Sequence, residues 1–139
     1  MPQSSAKKYR LKRKSLIDGL FDRSSRTRQS VASGDVLLVF DFVARENVPD
    51  APEYRAAVTT TKRVKRAVDR NRAKRVLRAE VQKAHSMIVQ AVPGNDLLIF
   101  MMIFRGDSKD LDCARDASSA LSIMSERLGR LRSSSEPAN

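Results

Sequence analysis

The chain has 139 residues, and its 41% hydrophobic and 31% charged composition supplies enough apolar material for one packed core, which excludes wholesale disorder. Lys and Arg number 27 against 16 Asp and Glu, a formal net charge of +11 whose field attracts polyanions and opposes docking on acidic protein surfaces. One Cys and one His are too few for a disulfide, a zinc cluster or a Cys/His catalytic pair.

Residues 1–10 lack an apolar pattern and read as a flexible basic tail. Nothing of signal-peptide length follows Lys7-Lys8-Tyr9-Arg10, so a cytoplasmic protein is expected. The single folded domain is expected over 11–131, with a disordered tail at 132–139. Leu11, Leu16, Ile17, Leu20 and Phe21 fall near helical spacing, with Lys12, Arg13 and Lys14 between them, which predicts a short amphipathic first helix. An edge strand near Gln29–Ser33 is followed by two β-branched, apolar stretches, 36–43 and 54–61, read as an antiparallel pair across a loop with Pro49 and Pro52.

From Ala67 to Gln90 no Pro or Gly interrupts, and Ala73, Val76, Leu77, Val81, Ala84 and Ile88 recur at helical steps, predicting one long helix with a buried stripe. Pro93-Gly94-Asn95 ends it. The apolar run 97–104 is less than half the length of a membrane span, but it suits a central strand covered on both faces. A last helix, capped by Asp110, packs through Ala114, Ala117, Leu121, Met124, Leu128 and Leu131. The order α-β-β-β-α-β-α predicts an α/β two-layer sandwich.

The positive charge is concentrated. Residues 1–28 hold nine basic and two acidic residues, and residues 62–78 hold nine basic residues against Asp69 alone. On the long helix Asn71, Lys74, Arg75 and Arg78 share one arc opposite the apolar stripe, flanked by Arg70 and Arg72, with Lys62, Arg63, Lys65 and Arg66 on the approach. Solvated helix faces normally intersperse Glu for i,i+4 support, so this uncompensated repulsion points to a polyanionic partner. Helix-turn-helix recognition of DNA would need a short helix before this one, where strand and Thr-rich loop stand instead. Scattered acids such as Asp35, Asp41 and Asp96 supply neither a metal cluster nor an acid/base pair for autonomous phosphodiester cleavage. An RNA-binding protein is the reading these features support. A ribosomal or other structural RNA-binding role shares the same charge and size.

The ordered arrangement Thr59-Thr60-Thr61-Lys62-Arg63, Ala67-Val68 and Arg70-Asn71-Arg72-Ala73-Lys74-Arg75-Val76-Leu77-Arg78, with Leu11-Lys12-Arg13 leading to Phe21, resembles the protein subunit of bacterial ribonuclease P over roughly 11–131. Ile17 stands where that family often has a second aromatic. Lys65 replaces a usual glycine, and Arg55-Ala56-Ala57-Val58 lacks a glycine at its third position.

The resemblance implies three helices on a four-stranded mixed sheet with a left-handed βαβ crossover, against the general handedness preference. It implies two partners, ribonuclease P RNA and precursor tRNA, with the RNA subunit removing the 5′ leader, magnesium held mainly by RNA, and no membrane. Lys62, Arg63, Arg66, Arg70, Asn71, Arg72, Lys74, Arg75 and Arg78 would bind the catalytic RNA. Lys12, Arg13, Ile17, Phe21, Phe40, Thr59 and Thr61 would hold the leader in a cleft beside the first helix, with Phe21 and Phe40 stacking on bases for about 1–3 kcal/mol each.

Overall fold

A computed structural model describes residues 9–11, 14–20, 28–44, 52–92, 96–106 and 113–135. The elements in chain order are α1 (Lys14–Leu20), β1 (Gln29–Ser33), β2 (Val36–Ala44), β3 (Tyr54–Thr60), α2 (Ala67–Lys83), α3 (His85–Ala91), β4 (Asp96–Phe104) and α4 (Ala114–Ser135). The four strands form one mixed sheet in the order β1-β2-β4-β3.

β1 and β2 form a hairpin closed by Gly34 and Asp35, because Ser33 pairs with Val36. Gly34 has φ +54°, the left-handed conformation a tight turn demands. A Cβ there would also collide with the Asp116 carboxylate at the start of α4. That carboxylate accepts a hydrogen bond from the Asp35 backbone N–H at 3.1 Å, tying hairpin to helix. Asp110 lies outside the described residues, and α4 runs on to Ser135, past the expected boundary at 131.

β2 and β3 are not partners, contrary to the antiparallel pair expected from sequence. β4 lies between them, antiparallel to β2 and parallel to β3. The reason is burial: β4 hides apolar side chains on both faces from Leu97 to Met102 and needs a neighbouring strand on each side. β3, rich in Ala and Thr and only partly buried beyond Tyr54, suits a more peripheral place. Its outer edge is bridged at Arg10↔Ala56, where the Leu11 N–H donates to the Ala56 carbonyl at 2.8 Å and the Ala56 N–H donates to the Tyr9 carbonyl at 2.7 Å. Tyr9 and Arg10, expected in the tail, are thus part of the folded structure.

The sheet's two faces carry different loads. Val31, Leu38, Phe40, Leu98, Phe100 and Met102 pack against Ala73, Leu77, Val81, Ile88, Ala117, Leu121, Met124 and Leu128 of α2 to α4. Each such large side chain contributes about 1.5–3 kcal/mol on burial. The opposite face, with Val39, Leu97, Ile99 and Met101, packs on Leu11, Leu20 and Ile17. Among the described residues this second cover is incomplete, and Leu37, Val43, Ala57 and Ile103 stay partly exposed.

The helix expected to run unbroken to Gln90 breaks at Ala84, which has φ −89° and ψ 1°. Its N–H is shared between the Glu80 and Val81 carbonyls at 3.1 and 3.2 Å. The break re-aims the following turn so that His85 reaches β3, its Nδ1 lying 2.9 Å from the Tyr54 hydroxyl. No helix among the described residues is long and apolar enough to cross a membrane.

Candidate nucleic-acid interface

The basic segment begins where β3 ends. The Thr61 N–H donates to the Phe104 carbonyl at 3.0 Å, extending the β3–β4 pairing by one residue, and the Val64 N–H turns back to the Thr61 carbonyl at 3.3 Å. Val64 is fully buried in the main core, whereas Lys62, Arg63, Lys65 and Arg66 around it are exposed. One apolar anchor therefore holds a loop of four outward cations.

On α2 the buried side is Ala73, Leu77, Glu80 and Val81. Asn71, Arg72, Arg75 and Arg78 are exposed on the other side, with Lys74 half-buried among them. Glu80 lies 3.6 Å from Lys83. That pair and Arg130–Glu126 are the ion pairs among the described residues, and neither involves a cation of 62–78. Arg forks on the ridge can grip phosphate oxygens bidentately.

Arg70 behaves differently from its neighbours. Its Nη1 donates to the Val64 carbonyl at 3.1 Å and the Lys65 carbonyl at 2.7 Å. It is half-buried and holds the loop onto the helix, so one arm of its guanidinium is committed within the protein.

The leader set divides. Lys12, Arg13 and Phe21 lie outside the described residues. Ile17 packs half-buried on the second cluster. Thr59 shares that face, in the cross-strand row Leu37–Ile103–Thr59. Phe40 does not: it is 0% exposed and lies in the row Phe40–Phe100–Ala56 against the helices, so its ring offers no free surface for a base. Strand alternation puts it on the opposite face from Thr59.

Against known protein families, residues 6–122 match the family described as Ribonuclease P. The chain belongs to the ribonuclease P family. Among solved structures, the Staphylococcus aureus RNase P protein is similar at 19% identity, covering 84% of this chain and 94% of that one with a TM-score of 0.61. A mutant of the S. aureus RNase P protein with defective mRNA degradation activity is similar at 16% identity, covering 88% and 92% with a TM-score of 0.60. These likenesses establish the α/β fold with its four-stranded mixed sheet. A search of curated proteins returns no match. Membership in the ribonuclease P family brings involvement in ribonuclease P activity and an RNA partner in a ribonucleoprotein.

For a ribonuclease P family protein the remaining polar groups are informative. Among the described residues no three His, Cys, Asp or Glu side chains gather to hold a metal ion. Asp41 is buried on the α1 face and accepts from the Phe42 N–H at 2.8 Å; across Ile99 from it lies Arg55, whose Nε is buried without a hydrogen-bond partner.

Two features escaped the sequence reading. At the edge of β3, Tyr9 stacks on Tyr54 at 4.7 Å and meets His85 edge-on at 4.8 Å. Burial, then the charges of Tyr9 and Glu53, push the Tyr54 hydroxyl up to about 12. The second feature is Arg105, which follows β4 and lines a cavity with Gly34, Asp35, Thr61, Lys62 and Arg63. The only signal for it in the sequence is a charged residue ending the apolar run.

Proposed function

We propose that this chain is the RNA-gripping, non-catalytic subunit of the ribonuclease P holoenzyme. It binds ribonuclease P RNA through the exposed cations of 62–78 and holds the 5′ leader of precursor tRNA along the sheet face beside α1, promoting removal of that leader. The cut is made by the RNA subunit, with magnesium held mainly by RNA. The observation that carries this reading is the ridge from Lys62 to Arg78, whose exposed cations have no carboxylate partner among the described residues. Arg70 supports it indirectly by fixing the loop. The leader's platform is the partly exposed apolar surface of Leu37, Ala57 and Ile103 with Thr59, since Phe40 is enclosed. Apolar and aliphatic contact with unstacked bases is sequence-tolerant, as a leader of variable sequence requires.

Reconstitution tests this. Purified ribonuclease P RNA at a magnesium level too low for efficient cleavage alone should remove the leader faster once the protein is added. A structural RNA-binding protein of equal charge would bind the RNA and leave cleavage unstimulated, and that result would refute the proposal.

A further inference from the structure

Tyr9, Arg10 and Leu11 lie at the outer edge of β3. Arg10 bridges Ala56 alone, through the Leu11 N–H to the Ala56 carbonyl at 2.8 Å and the Ala56 N–H to the Tyr9 carbonyl at 2.7 Å. In a regular strand Tyr9 and Leu11, two residues apart, would share one face of the sheet. Here they divide: Tyr9 packs against the cluster under α2 to α4, and Leu11 is buried in the cluster under α1. The segment therefore crosses the edge as a strap, with one side chain on each face.

On the helix side Tyr9 stacks on Tyr54 at 4.7 Å, meets His85 edge-on at 4.8 Å, and donates its hydroxyl to Glu53 Oε2 at 3.4 Å. Aromatic pairs in these geometries contribute beyond the area they bury. On the other side only residues 12 and 13 separate Leu11 from α1, so the seat of Leu11 fixes where that helix starts. Through Ile17 and Leu20, α1 packs on the sheet beside the partly exposed Leu37, Ala57 and Ile103. We infer that Tyr9 is a positioning residue for leader binding: its clasp on Tyr54 and His85, on the helix side of the sheet, holds α1 in place on the opposite side, where the leader of precursor tRNA lies. Tyr9 acts through α1 and not by touching the leader. The inference rests on the leader reading above.

Multiple-turnover cleavage by a holoenzyme reconstituted from the full chain and ribonuclease P RNA tests this. Tyr9→Ala should raise KM for precursor tRNA roughly three- to tenfold, with kcat and the affinities for ribonuclease P RNA and mature tRNA unchanged. Tyr9→Phe, which keeps the stack and loses the hydroxyl, should restore the parent KM. His85→Ala should also raise KM, and added to Tyr9→Ala it should cost less than it does alone, because the two rings touch. Hydrogen exchange of the free protein should quicken over α1 in Tyr9→Ala and match the parent over α2 and β4. A parent-like KM, or parent-like exchange over α1, in Tyr9→Ala would refute the clasp and leave the ribonuclease P reading standing. Faster exchange throughout, with affinity for ribonuclease P RNA lost as well, would mean that Tyr9 only stabilises the fold, and this too refutes it. If the parent protein leaves cleavage unstimulated, the leader reading and this inference fall together.

Discussion

Tyr54 joins three parts of the molecule through one side chain. It is 2% exposed, stacks on Phe100 at 5.8 Å and on Tyr9 at 4.7 Å, and its hydroxyl lies 2.9 Å from His85 Nδ1. Burial chiefly, with the charges of Tyr9 and Glu53 behind it, raises its pKa from 10.0 to about 12, a difference of roughly 2–3 kcal/mol. The folded protein therefore holds this proton more tightly than the unfolded chain. The stabilisation is complete below pH 10 and is lost as pH rises through about 12, because the unfolded chain deprotonates first. Urea titrations from pH 9 to 12 should show the parent's stability falling over that window. Tyr54→Phe should start about 1 kcal/mol lower, for want of the His85 bond, and fall less; identical slopes would exclude Tyr54 as the titrating group. Phe40 carries the complementary lesson at this scale. Alternation shows that Leu38, Phe40 and Phe42 share a face, but only the packing of α2 to α4 decides that theirs is the closed one.

Among the elements, those specified by near neighbours were legible and those specified by distant partners were not. The stripe Ala73, Leu77, Val81 and Ile88 is buried as its period requires, and β4 is central as its unbroken apolar run demands. The partner of β3 is a long-range choice that propensity does not encode, and the break at Ala84 answers to Tyr54, a residue on another element. The basic ridge was legible as a pattern of types, yet Arg70 reads identically to Arg72 in sequence and differs through the two carbonyls beneath it. Those bonds separate their roles experimentally. Arg70→Ala should lower stability by about 1 kcal/mol in urea unfolding by releasing the 62–66 loop, whereas Arg75→Ala should stay within about 0.5 kcal/mol of the parent while weakening ribonuclease P RNA binding. Equal stabilities would remove the clamp assigned to Arg70.

For the whole molecule the decisive quantity is where the net charge of +11 resides. The helices α2 to α4 cover one face of the sheet and α1 part of the other, which leaves the exposed side of α2 and the loop before it free to carry Lys62, Arg63, Lys65, Arg66, Arg72, Arg75 and Arg78 into solvent. Exposed cations at this spacing repel one another, and that repulsion is relieved when a polyanion binds and sheds its counterions. Each phosphate neutralised contributes about 0.7–0.9 to the slope of log affinity against log salt. Replacing Arg72, Arg75 and Arg78 together with Gln, and leaving Arg70 in place to hold the loop, should therefore reduce the slope for ribonuclease P RNA by about 2–3, with the urea midpoint little changed because all three side chains are exposed. An affinity loss with an undiminished slope would mean that the ridge shapes the protein instead of contacting phosphates, and the catalytic RNA would then have to dock on another surface.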